Sequence, residues 1–427
     1  MADTTVQVAN MNPNTTEGLS AEMRTYYSDY LIDNAVPNLV HDQFGQKQPI
    51  PANGGKTINF RKFVPFTKAS KPLTEGITPD GGSLSVTNVT AEVSQYGYYV
   101  TLSDMLMLTA VDNTLVETTR LLGNQAGSTL DTVTREVLNS GTNVMYPKGK
   151  MARGIVGEGD VLTVDDVFKA ARFLKAQNAP KIDGGYVAII HPDVAYDLMR
   201  DPEWIDVNKY AETGNVFTGE IGKIGGVRFV ESTEAKVIHT DDLTDEHRSF
   251  IITQGDLFNE GDVAEIGEAA NYRMTIYETL SEKQAESLIG KKIQIFNSEA
   301  GLDEMATVEA VICGVSPSTN NIWITEYDIN NCNFHPTGGN MVFPAGAGLK
   351  GRDIYTTLVM GANAYGVTEV TGGGLQHIVK QLGSGGSADP LDQRSTAGWK
   401  GTKAAELLVN NYLIRIESAS TFEIGNN

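Results

Sequence analysis

Between Asp112 and about Asn139 the residues Leu115, Leu122, Ala126, Leu130, Val133 and Val137 fall on one stripe at helical spacing. At ~1.5 Å rise per residue such a helix is about 40 Å long, more than a compact domain of ordinary size requires. It reads as a spine against which other elements are laid. The chain has 427 residues, more than one core usually holds, so two or more cores, or one core with a large insertion, are expected.

The segment before the spine alternates instead of cycling. Thr57 to Val64 and Ser85 to Val93 read as strands, and Glu75-Gly76-Ile77-Thr78-Pro79-Asp80-Gly81-Gly82 between them is dense in turn residues. The expected product is a long two-stranded excursion, marginal alone, that calls for a partner such as another subunit. Ahead of it, Met1 to about Ser20 offers little to bury and reads as an arm ordered only against something else. Ser20 then caps a helix carrying Met23, Tyr26, Tyr27, Tyr30 and Leu31, which Pro37 ends.

After the spine, Thr163-Val164-Asp165-Asp166 opens a helix with Val167, Phe168, Ala171 and Leu174 on its apolar face. A buried strand follows at Tyr186 to Ile190. His191-Pro192-Asp193 caps a short helix with Leu198 and Met199, and Gly225 to Glu231 returns as a strand. Between about Val237 and Lys350 short strands recur: Phe250 to Thr253, Arg273 to Tyr277, Lys292 to Phe296, Thr307 to Cys313 and Ile322 to Tyr327. This stretch reads as an inserted all-β module. The remainder adds strands at Tyr355 to Met360, Leu375 to Leu382 and Tyr412 to Glu417. The boundaries are 1–53 for arm and first helix, 54–102 for the extended hairpin, 103–237 for spine and α/β core, 238–350 for the insertion and 351–427 for the return of the core.

A formal net charge of -20 argues against sequence-independent nucleic-acid binding, which depends on Lys and Arg neutralising phosphates. Forty-four glycines favour turns and long excursions over bundled helices. No run approaches the ~18 apolar residues that span a bilayer, and Met1 to Thr16 lacks the order of a secretory signal. No membrane role is expected, and Cys313 and Cys332 are expected to stay reduced.

Catalytic motifs fail one by one. Gly54-Gly55-Lys56-Thr57 resembles the end of a phosphate loop, but Ile50 stands where the first glycine belongs and a strand, not a helix, follows. His41, His191, His239, His247, His335 and His377 show no metal-ligand spacing. His191 reads as a cap or a buried hydrogen-bonding group rather than a general base. Asp256, Asn259, Glu260, Asp262 and Glu265 lack the ligand order of a calcium loop and read as a solvated acidic face. No catalytic, cofactor-binding or metal residue is assigned, no cofactor is expected, and the chain is not expected to be an enzyme.

Four stretches carry a more specific likeness. They are Gln95-Tyr96-Gly97-Tyr98-Tyr99 to Ser103-Asp104; His191-Pro192-Asp193 through Asp197-Leu198 to Trp204-Ile205; Gly219-Glu220-Ile221-Gly222 through Gly225-Gly226-Val227-Arg228-Phe229; and Leu382 to Gly386 through Asp389-Pro390-Leu391 and Gln393-Arg394 to Gly398-Trp399-Lys400-Gly401. In these the chain resembles the family of N-four-like phage major capsid proteins, and the order of its elements resembles the Hong Kong-type capsid fold of tailed bacteriophages. The likeness covers nearly the whole chain except about 238 to 350. It implies an α+β fold with N-terminal arm, extended hairpin, spine helix, and peripheral and axial α/β domains, to which the inserted all-β domain is added. It implies a virion subunit that self-assembles into hexamers and pentamers of an icosahedral head. The head would enclose double-stranded DNA without sequence-specific binding and be built in the bacterial host cytoplasm.

A separate scaffolding protein is expected because the arm before Gly54 leaves no room for a fused one; a portal and a decoration protein are the other expected partners. Some relatives cross-link Lys to Asn, but Lys62, Lys68 and Lys71 in the hairpin are too ordinary to predict it. The alternative is a surface-layer or adhesin-like protein, for which the β-module with Trp323, Tyr327 and Phe334 would serve.

Overall fold

The computed structural model describes residues 39–51, 55–63, 66, 68, 70, 83–84, 86–109, 114–209, 222–257, 272–312, 320–325, 332–368, 374–384 and 391–422. Contacts divide the chain into two units. The first draws on Met1–Thr142, Gln177–Gly184 and Met360–Leu413, the second on Asn143–Ala176, Gly185–Val359 and Ile414–Asn427.

The first unit is built on the 14-residue strand Arg394–Leu407. Ser94–Ser103 pairs antiparallel with it from Ser103 opposite Arg394 to Ser94 opposite Lys403. Gln376–Lys380 pairs with it on the opposite side and Tyr365–Thr368 toward its C-terminal end. Gln46–Lys47 adds in parallel to Tyr365–Thr368. The spine helix, Thr114–Asn139, crosses this sheet, and Leu122 and Ala126 pack on Ala397 and Trp399. The Trp399 indole donates to Gln125 Oε1 at 3.1 Å, which satisfies the one polar group of a buried ring.

The stripe of the spine differs from its sequence reading. Val133 and Val137 are half-buried, whereas Thr119, Asp131 and Thr134 are buried with Leu122, Ala126, Leu130 and Leu138. A hydrophobicity pattern misses polar residues that find partners inside. Asp112 and the helix expected from Ser20 lie outside the described residues.

Thr57–Phe63 and Val86–Glu92 form the expected antiparallel pair, with Thr57 opposite Glu92 and Phe63 opposite Val86. Its base is anchored within the chain: Phe60, Ala91 and Val93 pack with Ile50 and Ala404. Residues 94–103, grouped with the hairpin in the sequence reading, belong instead to the five-stranded sheet.

The second unit holds a sheet of order Val144–Met145, Leu413–Ser418, Ile354–Met360, Tyr186–Ile190, Val227–Glu231, Lys223–Ile224. Tyr186–Ile190 and Ile354–Met360 are buried throughout, as expected of central strands covered on both faces. Helices Val164–Ala176, Pro192–Met199 and Pro202–Lys209 belong to the same unit. Two apolar expectations are corrected: Phe168 and Met199 are 44% and 39% exposed. The Phe168 ring occupies the space a Cβ would need at Gly225, so it covers a turn rather than entering the core. Buried Glu417 holds Arg153 through two 2.8 Å hydrogen bonds and pairs with Arg415.

The expected β-module is a closed six-stranded barrel. Its strands are, in order, Phe250–Leu257, Tyr272–Ile276, Asn320–Thr325, Leu302–Ile312, Lys292–Asn297 and Met341–Pro344, closed by Phe250 opposite Val342. Phe250, Ile252, Met274, Ile293, Ile295, Ile322 and Ile324 fill it. The sequence reading missed the helix Glu282–Leu288, whose capping box links Ser281 and Gln284, and the strand Met341–Pro344.

Buried Gln294 ties the barrel to the rest of its unit. Its amide donates to Gly154 O at 2.9 Å and Asp303 Oδ2 at 3.0 Å, and its Oε1 accepts from Lys350 N at 3.0 Å. Replacing Gln294 by Leu removes these three hydrogen bonds and leaves Gly154 O, Asp303 Oδ2 and Lys350 N without that partner. The variant is expected to lose roughly 1–3 kcal/mol in urea unfolding, whereas the exposed Met151→Leu should match wild type.

Candidate functional site

The most concentrated polar chemistry in the first unit lies where residues 39–50 meet the spine helix. This stretch turns at 41–45, adds the two residues Gln46 and Lys47 to the sheet, and ends with Ile50 buried against the hairpin base. Gly45 is required here, since a Cβ would fall 2.6 Å from the Tyr365 ring.

The spine supplies Asp131 and Thr134, neighbours on one helix face at i, i+3. Asp131 accepts from His41 N at 2.7 Å and meets His41 Nδ1 at 2.6 Å, both side chains being fully buried. Thr134 donates to Asp42 Oδ1 at 2.6 Å, and the other Asp42 oxygen pairs with Lys403 from the central strand. Tyr365 donates its hydroxyl to His41 O. Burial pulls the Lys403 ammonium down to about 7 and raises the Tyr365 phenol; the Asp42 carboxylate opposes the first shift. A cavity of about 580 Å³ adjoins the cluster, bounded by Leu39, Leu130, Val367, Leu375 and Lys403.

Chemically this is a clamp. Each carboxylate is engaged by donors on both oxygens, and the arrangement joins the N-terminal stretch, the spine and the strand Arg394–Leu407.

The residues weighed in the sequence do not converge. Gly55 has φ +90° and Thr57 begins a strand, while Gly54 lies outside the described residues. His191 caps Pro192–Met199, its Nδ1 accepting from Asp193 N at 3.3 Å, and burial holds its imidazole below the ordinary value. His377 is half-buried and shifted the same way. His239 is exposed, His247 Nδ1 meets Thr244 Oγ1 at 3.3 Å, and His335 Nδ1 lies 3.6 Å from the Cys332 thiol. Among the described residues no three His, Cys, Asp or Glu side chains gather as metal ligands would.

Asp256 sits in a barrel strand opposite Arg273. Cys313, Asn259, Glu260, Asp262, Glu265, Lys71 and Tyr327 lie outside the described residues. The Lys62 backbone pairs with Thr87, and Lys68 is exposed. Trp323, offered as part of an adhesive surface, is buried with Arg273 over its ring at 5.9 Å, and Phe334 packs against the barrel core. Of the clamp, sequence reading named only His41, and without a partner. Its partner Asp131 is 90 residues away, and local spacing carries no signal for the pair.

Two measurements test the clamp. Asp131→Ala is expected to cost roughly 3–5 kcal/mol in urea unfolding followed at Trp399, as removal of one partner from a buried pair does. Glu117→Ala, at an exposed pair with Arg120, should cost under about 0.5 kcal/mol.

The second concerns pH. A lysine with a folded-state value near 7 and an ordinary one of 10.5 binds more protons unfolded, so its burial penalty is full below about 7 and relieved as pH rises. Wild-type stability should therefore climb between pH 7 and 10 relative to an Asp42→Asn, Lys403→Met double variant.

Comparison with known proteins adds a partial match to a family model and a likeness of fold. Residues 87–268 match the family model described as phage capsid protein. The fold resembles the cyanophage Pam1 capsid asymmetric unit at 12% identity over 99% of this chain and 100% of that one, with a TM-score of 0.52. It also resembles the capsid of Ralstonia phage GP4 at 12% identity over 90% of this chain and 89% of that one, with a TM-score of 0.51. No curated protein matches by sequence.

Proposed function

We propose that this chain is the major capsid protein of a tailed bacteriophage, a structural subunit that associates with copies of itself to form the head. The observation that carries this reading is the match of residues 87–268 to the phage capsid protein family within a chain whose whole length shares its fold with the Pam1 capsid. The geometry fits a structural role, since the polar cluster of the first unit engages its carboxylates internally.

On this reading the fold is of the Hong Kong type. The first unit, with its spine helix and hairpin, is the peripheral domain; the second unit's sheet is the axial domain; and the barrel is an inserted domain facing outward. Hexamers and pentamers assemble in the host cytoplasm with a separate scaffolding protein and a portal, and the barrel meets neighbouring capsomers or a decoration protein. The formal charge of -20 suits a shell that must enclose DNA without gripping it.

The test is negative-stain electron microscopy with light-scattering mass of the purified chain, concentrated with and without a crowding agent. Rings of five or six subunits, or closed or aberrant shells, are expected. A monodisperse monomer under every condition overturns the reading. Replacing 238–350 by a short linker is expected to leave a soluble chain that still forms capsomers; an insoluble product would make the barrel part of the core.

A further inference from the structure

Residues two apart on a strand share a face of the sheet. Along Arg394–Leu407 the pairing runs without a shift from Arg394 to Lys403, so Ala397, Trp399, Gly401 and Lys403 lie on one face. The spine covers that face. Ala397 and Trp399 pack on Leu122 and Ala126, and Lys403 joins Asp42, which Thr134 also holds. Four residues of helix rise ~6 Å and two residues of strand ~6.6 Å, so the two elements advance in step. The step between Ala126 and Thr134 on the spine is Leu130, and the step between Trp399 and Lys403 on the strand is Gly401, which has no side chain to meet it.

The cavity of about 580 Å³ beside the clamp lies at this step, lined by both residues. A Cβ at Gly401 would meet nothing nearer than 3.7 Å, so the glycine provides space and not a close backbone approach. Packed interiors leave few voids larger than a water molecule. Ligand sites, by contrast, are hollows of ~300–1,000 Å³ with apolar walls and a few polar groups. This hollow has that division. Leu130, Val367 and Leu375 form apolar walls, and Gln43, Lys47 and Gln48 stand exposed at the rim. The Lys403 ammonium is engaged by Asp42, whereas Lys47 forms no ion pair among the described residues.

We infer that this hollow binds a small aliphatic carboxylate, with its tail over Gly401 between spine and sheet and its head at the Lys47 ammonium. The tail leaves water for apolar walls. The one unpaired cation at the rim attracts a single negative charge and repels a cationic head. The inference does not rest on the capsid reading, since all of these residues belong to one chain.

The test uses the full-length chain, octanoate as the probe, calorimetric titration and thermal melting. One saturable site per chain is expected, with a melting temperature that rises with octanoate, because a ligand of the folded state stabilises it. Octyltrimethylammonium, with the same tail and the opposite charge, should bind roughly tenfold more weakly or worse. Gly401→Leu places a side chain in the hollow and should abolish binding, and its own melting curve shows that it is folded. Lys47→Glu, at an exposed position, should weaken octanoate binding roughly tenfold or more. Lys380→Glu, exposed elsewhere on the sheet, should leave it as in wild type. Absence of saturable binding overturns the inference, since water or the chain's own residues would then fill the hollow. Equal binding of the two probes overturns it as well, as does octanoate binding that survives Lys47→Glu.

Discussion

The strand Arg394–Leu407 and its packing against the spine helix hold the first unit together. Ala397 and Trp399 meet Leu122 and Ala126, Lys403 closes the clamp with Asp42, and Ala404 completes the cluster at the hairpin base. Every other strand of its sheet pairs with it or with a strand that does. Its contacts with the spine and with Ser94–Ser103 span nearly 300 residues of sequence. The loop-closure entropy of such contacts must be met before they stabilise anything, so the unit is expected to fold slowly.

The second unit solves a different problem. Its central strands are buried along their whole length, and its buried charges are held in place, Glu417 by two arginines and Asp197 by Ser420 and Thr421. Removing one partner would leave a buried charge less fully satisfied, which fixes the geometry more strictly than apolar packing does. Asp197 thereby pins the chain near its C-terminal end, where Phe422 also stacks edge-on against Tyr196.

Elements with a local signature were legible in the sequence. The spine, the hairpin strands, the buried strand at Tyr186 and most barrel strands follow from periodicity and turn residues. What was not legible depended on distant partners. The strand Arg394–Leu407 is interrupted by Gly398, Gly401, Lys400 and Lys403, and reads as irregular until its neighbours are known. Asp131 and Thr134 look like solvent positions, because nothing near them in sequence announces His41 or Asp42. The same blindness misplaced Ser94–Ser103, which looks like the exit of a hairpin unless its partner, roughly 300 residues on, is in view.

The way the barrel closes also governs how it can be exchanged. Its first and last strands are direct neighbours, Phe250 opposite Val342, so the two ends of the polypeptide that enter and leave it emerge side by side, about 5 Å apart as cross-strand partners are. The host domain therefore meets this hundred-residue excursion as if it were a tight turn. A module with that property can be swapped for an unrelated one of any size whose own termini are adjacent, making this position a natural graft point.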